Sequence, residues 1–214
     1  MFLIRALLLV LSIAAALFLA LRAPRPRTTF FRLLRVLLSL AFAVEVVGLF
    51  LREQQVPNVW LYNLYASLEF VILLWMVLDL YPGRRPILLY LGGFGVASII
   101  YAAATLGILD FLLGEALLVI SLVLSTVFLF VLLDLARSSK GPLLRDPYFW
   151  FFTGGLLYFG GIIPVLGTWK FLGELTMRLS QLTYWIVILL AIIRYTLTAV
   201  ACAMASRTLS GTAR

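Results

Sequence analysis

The sequence predicts an all-α, polytopic membrane bundle of seven transmembrane helices, and three observations carry that prediction. Hydrophobic residues make up 64% of the 214 and charged residues 12%, with a mean hydropathy of +1.12. That is more apolar surface than a soluble core of this size can hide. The apolar residues fall into seven stretches, each near the roughly 20 residues that a helix rising about 1.5 Å per residue needs to cross a hydrocarbon layer of about 30 Å. Lys and Arg, finally, collect in alternate connections.

Taken in order, the spans are read as Phe2 to Leu21, Phe30 to Leu51, Val59 to Leu80, Ile87 to Leu109, Ala116 to Leu135, Tyr148 to Trp169 and Leu182 to Ser206. They form one integral membrane domain over 1–214. Breaks fall at Ala23-Pro24-Arg25-Pro26, Val56-Pro57-Asn58, Tyr81-Pro82-Gly83, Lys140-Gly141-Pro142 and Asp146-Pro147. Proline suits such places because at the first turn of a helix it forfeits no hydrogen bond. The connection Asp110 to Glu115 is the weakest break, because Phe111-Leu112-Leu113 keeps the run apolar.

Orientation follows from the cations. Arg22, Arg25, Arg27, Arg32, Arg35, Arg84, Arg85, Arg137, Lys140, Arg145, Arg207 and Arg214 share one side, and Arg5, Arg52, Lys170 and Arg178 the other. A twelve-to-four bias puts the N-terminus outside and the C-terminus in the cytoplasm of a bacterial inner (plasma) membrane. The net charge of +8 then serves insertion and attracts anionic membrane lipids; it calls for no nucleic acid. Arg5 before an apolar run containing Ala14, Ala15, Ala16 and Ala20 resembles a secretory signal, but the arginines that follow resist translocation, which favours an uncleaved helix. The single cysteine, Cys202, forms no internal disulfide and reads as a small packing residue.

An ionisable residue at mid-membrane costs about 2.5 to 3.5 kcal/mol on insertion scales and persists only where it is paired or used. Three such residues lie within the spans: Glu45, Glu69 and Arg194. In the third span Asn58, Tyr62, Tyr65 and Glu69 recur at four, three and four residues, hence on one face, with Trp60, Asn63 and Ser67 beside them. The stripe is about 16 Å long and descends from the outer surface toward mid-membrane. Antiparallel pairing of the second and third spans places Glu45 level with Tyr62, Asn63 and Tyr65, whose phenols and amide offer the donors a carboxylate needs. Arg194, about 21 Å below the outer end of the last span, is in reach of Glu69 and is its expected ion-pair partner. The plainer reading is that these groups lock helix packing.

The sixth span opens on Asp146-Pro147-Tyr148-Phe149-Trp150 and continues through Thr153-Gly154-Gly155, Tyr158, Gly160-Gly161 and Pro164. Tyr148 and Trp150 suit an aromatic belt, and the glycines suit close helix contact. A broken, hydrated helix at Gly160, Gly161 and Pro164 is the alternative, as transporter sites use such breaks.

The set Glu45-Val46-Val47-Gly48, Asn63-Leu64-Tyr65 with Glu69-Phe70, and Asp146-Pro147-Tyr148-Phe149-Trp150 followed by Gly154 and Tyr158 resembles an uncharacterised Bacteroidetes-type seven-helix integral membrane family. That family is also seen as the membrane sensor region of some histidine kinases. The resemblance covers spans two to six and implies a sensory or accessory role. It lapses in the last span, where this chain has Ile192-Ile193-Arg194-Tyr195 instead of an Asn-containing segment.

Chemistry that is missing narrows the rest. With no histidine and one cysteine, the chain has no signature of a cofactor or metal site and none of a histidine-dependent triad. Both lysines lie in connections, so the last span has no Schiff-base lysine. An acid–base pair of Glu45 and Glu69 acting on a lipid is the enzyme reading left, and it ranks below non-catalytic roles. The expected function is a membrane sensor or signalling accessory that binds a small or amphiphilic ligand through Glu45, Asn58, Tyr62, Asn63, Tyr65, Glu69, Tyr158 and Arg194, with a cytoplasmic or membrane signalling partner. The alternative is a channel or proton-coupled transporter in which Glu69 titrates.

Two outcomes are expected. Reporter fusions or cysteine labelling in cells should find Arg22 to Thr29 and Ser138 to Arg145 cytoplasmic; labelling of either from outside contradicts the orientation. Glu69→Gln and Arg194→Met should each lower thermal stability in detergent, as breaking buried pairs costs about 3 to 5 kcal/mol in general, and the double variant should regain much of the loss. Simple addition of the two losses contradicts the pairing.

Overall fold

Seven α-helices make up almost all of the structure, a computed structural model that describes residues 2–22, 28–107, 114–139, 141–175 and 177–211, with their side chains except at 2–5, 106, 169–184 and 207–211. They are α1 (Phe2–Arg22), α2 (Thr29–Glu53), α3 (Val59–Leu80), α4 (Arg85–Leu106), α5 (Gly114–Ser138), α6 (Pro147–Leu175) and α7 (Met177–Gly211), with short 3₁₀ turns at Pro82–Arg84 and Leu143–Arg145. Six contain stretches long and apolar enough to cross a membrane, and Ala6–Arg22 of α1 is a shorter apolar helix. The chain is thus a multi-pass helical membrane protein. Of the sequence expectations, Ala23-Pro24-Arg25-Pro26, Arg27, residues 108–113, Lys140 and Arg214 lie outside the described residues, as do the side chains of Arg5, Lys170, Arg178 and Arg207.

Hydropathy locates the buried part of each helix, whereas hydrogen bonding sets its length. α3 has the predicted limits. α6 and α7 overrun theirs, at 29 and 35 residues, or about 43 and 52 Å, against apolar stretches of 22 residues, Pro147–Thr168 and Trp185–Ser206. α6 stays helical through Gly160, Gly161 and Pro164, so the broken-helix alternative is not the form described. α4 stops at Leu106, earlier than Leu109, where Gly107 takes φ 79° and donates its N–H to the Ala103 carbonyl. A positive φ is where glycine costs least.

Two connections explain sequence clusters. After α2, Val56 N–H bonds the Leu51 carbonyl at 2.9 Å and Gln55 N–H bonds that of Arg52 at 3.0 Å. With Gln55 at φ 57°, this is the Schellman pattern that satisfies orphan carbonyls at a helix end. Before α6, the Asp146 carboxylate accepts from Tyr148 N–H at 2.8 Å, with Pro147 at the first helical position. That is an N-cap. Trp150 donates its indole N–H to the Leu144 carbonyl at 2.9 Å, fastening the preceding 3₁₀ turn.

The chain forms two compact units, Met1–Pro26 with Leu124–Arg214, and Arg27–Val123. Within the second, α2 packs on α3 and α3 on α4. α4 turns Leu88, Gly92, Gly95 and Ala102 inward. Leu74 and Phe70 occupy the space where a Cβ would stand at Gly92 and Gly95, so the glycines set how closely α3 and α4 approach. The rest of α4 is bare: Ile87, Leu89, Phe94 and Ile100 are exposed, as are Tyr90 (81%) and Tyr101 (69%). In a membrane such a face meets lipid. Each tyrosine lies about 8 Å from its end of the 22-residue helix, within reach of the headgroups for its hydroxyl.

In the other unit α7 packs along both α6 and α1. α1 buries Ile13, Ala16 and Ala20, and α7 buries Ala191, Thr198, Ala201, Cys202 and Ala205, mostly small residues of the kind that let helices approach. α5 and α6 meet through rings instead. Phe128, fully buried, packs edge-on to Phe152 at 5.2 Å and Phe159 at 5.9 Å, geometry favoured by the ring quadrupole. Its ring fills the place a Cβ would take at Gly155.

A left-handed backbone costs an L-residue roughly 1–2 kcal/mol relative to glycine's near-indifference. Gln55 is exposed, so Gln55→Gly should raise stability by about 0.5–1 kcal/mol, read as a higher unfolding midpoint in detergent. A lower midpoint would mean the Gln55 side chain contributes something the turn needs.

Candidate functional site

The polar residues of the spans occupy two places, one in each unit. In the unit Arg27–Val123 they belong to the α2–α3 hairpin. The turn over Gln54 to Asn58 returns the chain at once, so α3 lies antiparallel beside α2. Asn58, at the start of α3, donates its side-chain N–H to the Gly48 carbonyl of α2 at 3.3 Å. One turn deeper, Tyr62 donates its hydroxyl to Glu45 Oε2 at 3.4 Å. Of the three donors expected level with Glu45, Tyr62 bonds it, while the Tyr65 hydroxyl goes to Glu69.

Gly48 makes this contact possible. A Cβ there would stand 2.7 Å from the Tyr62 hydroxyl and 3.3 Å from its Cζ, inside van der Waals contact. Glu45 and Gly48 are three residues apart and so on one helix face. Tyr62 crosses the bare backbone of Gly48 to reach Glu45. Sequence reading placed Gly48 in a motif without giving it a task; its signal was the three-residue spacing from Glu45.

Deeper in α3, Tyr65 donates to Glu69 Oε1 at 2.8 Å, a pair made within one helix by the four-residue spacing. Glu69 is 5% exposed and lies at the middle of the 22-residue apolar stretch Val59–Leu80. Asn63, 2% exposed, looks elsewhere. With Ala66, Ser67, Ile99, Ala116, Leu117 and Ile120 it lines a cavity of about 10 Å³ between α3, α4 and α5, room for about one water. Ser67 donates its hydroxyl to the Asn63 carbonyl at 2.9 Å. The stripe expected as one surface thus divides: Tyr62 faces α2, and Asn63 with Ser67 faces α4 and α5. A 3.6-residue period groups residues by direction along a helix but does not say which neighbour stands there.

In the other unit, Arg194 is 5% exposed and lies within two residues of the middle of Trp185–Ser206. Its guanidinium carbon is 4.9 Å from the Phe159 ring centre, 5.0 Å from Tyr158 and 5.5 Å from Tyr195. Ring faces attract a desolvated cation by up to about 2 kcal/mol each. Gly154 lets α6 come this close: a Cβ there would meet the Arg194 carbonyl at 3.2 Å and Leu197 Cβ at 3.1 Å. Thr198 donates to the same carbonyl at 2.9 Å. Tyr158 was expected in the site; Phe159 and Gly154 join it, and an unremarkable Phe in a Phe-rich helix gave no sequence signal. Glu69 and Arg194, the expected ion pair, belong to different units.

Compared with protein-family models, curated proteins and solved structures, the chain matches none.

The Gly48 contact predicts a coupling. Gly48→Ala should destabilise the protein by about 1–3 kcal/mol, the usual cost of overpacking, because the added methyl group meets the Tyr62 hydroxyl. In a Tyr62→Phe background, where that oxygen is gone and the nearest ring atom stands 3.3 Å away, the same substitution should cost less. Equal costs in both backgrounds, by thermal unfolding in detergent, would mean that Tyr62 does not lie over Gly48.

Proposed function

We propose that the protein is a seven-span sensor or signalling accessory of a bacterial inner membrane, with its N-terminus outside and its C-terminus in the cytoplasm. The observation that carries this reading is the polar clasp of the α2–α3 hairpin: Asn58 on Gly48, then Tyr62 on Glu45, above the Tyr65–Glu69 pair. Polar groups inside hydrocarbon are expensive, and here they follow one another from the turn toward mid-membrane. The cavity beside Asn63 holds about one water. A ligand that bonds Glu45 competes with Tyr62 for the carboxylate and so shifts α3 against α2, and that shift is the signal. A ligand can move the equilibrium only by its difference in affinity for the two arrangements. The likeness of the Glu45–Gly48, Asn63–Phe70 and Asp146–Tyr158 motifs to sensor regions of histidine kinases supports the reading, with a cytoplasmic or membrane partner as receiver.

A second reading, a channel or proton-coupled transporter, draws on Glu69: a mid-span carboxyl hydrogen-bonded by Tyr65 is what a titrating coupling site requires. Proteoliposomes separate the two. A sensor should carry no proton or solute flux, while spin labels on α2 and α3 should report a distance change when ligand is added. Flux that disappears in Glu69→Gln would establish the transporter instead.

A further inference from the structure

We propose that Glu45 is the contact point for a cationic amphiphile, an alkyl ammonium entering from the outer leaflet, and that this is the ligand class read by the α2–α3 hairpin. The inference rests on the sensor reading only for its consequence; the binding itself stands on the site.

The argument begins with acceptor capacity. An ionised carboxylate has two oxygens and about four lone-pair directions. Among the described residues Glu45 receives one side-chain hydrogen bond, from Tyr62 at 3.4 Å, well beyond the 2.5–3.0 Å of a good O–H···O bond. Glu69 differs: it is buried and accepts from Tyr65 at 2.8 Å. Glu45 is only half-buried, although it lies within the apolar helix Thr29–Glu53. A group there can be reached from outside the hairpin, yet no bulk water is at hand to complete its bonds.

Charge and rings then choose the ligand. In the unit Arg27–Val123 the described cations, Arg32, Arg35, Arg52, Arg84 and Arg85, stand in the first two turns or the last turn of a helix or in a connection, and among the described residues Glu45 and Glu69 lie deeper in their helices than any of them. An anionic ligand would be repelled. An ammonium supplies the missing N–H donors together with the opposite charge, and hydrogen bonds of that kind are about twice as strong as neutral ones. The Tyr62 ring beside Glu45 adds a surface that attracts cations. One turn to either side of Glu45 on α2, Phe42 and Leu49 are apolar and partly exposed, so a ligand that reaches the carboxylate through lipid has an apolar surface along which an alkyl body lies. Charge, donors and chain together describe an alkyl ammonium.

The test uses the full chain in phosphatidylcholine nanodiscs, titrated calorimetrically against empty nanodiscs with dodecylammonium, dodecyltrimethylammonium, dodecanol and dodecyl sulfate. Dodecylammonium should bind saturably and at least tenfold more tightly than dodecanol. Dodecyltrimethylammonium, which has the charge without N–H donors, should fall between them, and dodecyl sulfate should not bind. Glu45→Gln should remove the preference for dodecylammonium. Glu45→Asp keeps the charge but withdraws it by one methylene, and should give an intermediate affinity, which keeps the test decisive if the Gln variant fails to fold. Asp79→Asn, at the exposed inner end of α3, should change nothing. Equal affinity for the ammonium and the alcohol, or an unchanged preference in both Glu45 variants, overturns the proposal. Binding with the expected preference but no change in spin-label distance between α2 and α3 upholds the site and rejects the sensor reading, so the two fail separately.

Discussion

Hydrocarbon offers no water to complete a hydrogen bond, and most of this structure answers to that, with the buried Thr153 hydroxyl, which has no partner among the described residues, as an exception. The backbone meets the constraint by being helical across nearly its whole described length, since a helix satisfies its own amides and carbonyls. Side chains meet it pairwise: Tyr62 with Glu45, Tyr65 with Glu69, Asn58 with the Gly48 carbonyl, Thr198 with the Arg194 carbonyl. Two helix ends are closed as well, the start of α6 by Asp146 on Tyr148 and the end of α2 by the turn through Gln55. Where apolar helices no longer gain by hiding from water, contact comes from shape, and the glycines at 48, 92, 95, 154 and 155 mark where a neighbour has moved in.

Much of the architecture was legible in the chain because hydropathy and turn chemistry are local. The Pro and Gly clusters separated the spans, and the limits of α3 agree to the residue. α6 and α7 run longer because their outer residues lose hydropathy without losing helical hydrogen bonds. Asp146-Pro147 illustrates a motif whose meaning is mechanical: the run read as an aromatic belt opens on a helix cap, with Trp150 tied to Leu144. The position of Glu45 opposite Tyr62 was also legible, since a five-residue turn leaves the hairpin one register.

What the sequence withheld concerns direction and neighbours. Periodicity put Asn63 and Tyr62 on adjoining stripes; it held nothing to say that α2 stands before one and α4 with α5 before the other. In the same way the role of Phe159 beside Arg194 depends on a partner thirty-five positions away. Such contacts are decided by which surfaces fit, and that information is spread over two helices at once. Gly48 lies between these cases, since its spacing from Glu45 is local while the ring that covers it is not.

Pro164 carries a consequence of its own. Proline has no amide hydrogen to give the carbonyl four residues back, so α6 crosses the membrane with one rung missing from its ladder, at Gly160. The helix is continuous there, with one bond fewer holding that level than its neighbours have. On its N-terminal side lies the ring cluster of Phe128, Phe151 and Phe152; on its C-terminal side the helix runs on past Thr168. The two lengths are joined by a segment with low bending stiffness, since kinks in long helices concentrate where the hydrogen-bond ladder is interrupted. α6 is therefore one rod with a single weaker joint, and that joint stands between the ring cluster and the C-terminal length of the helix.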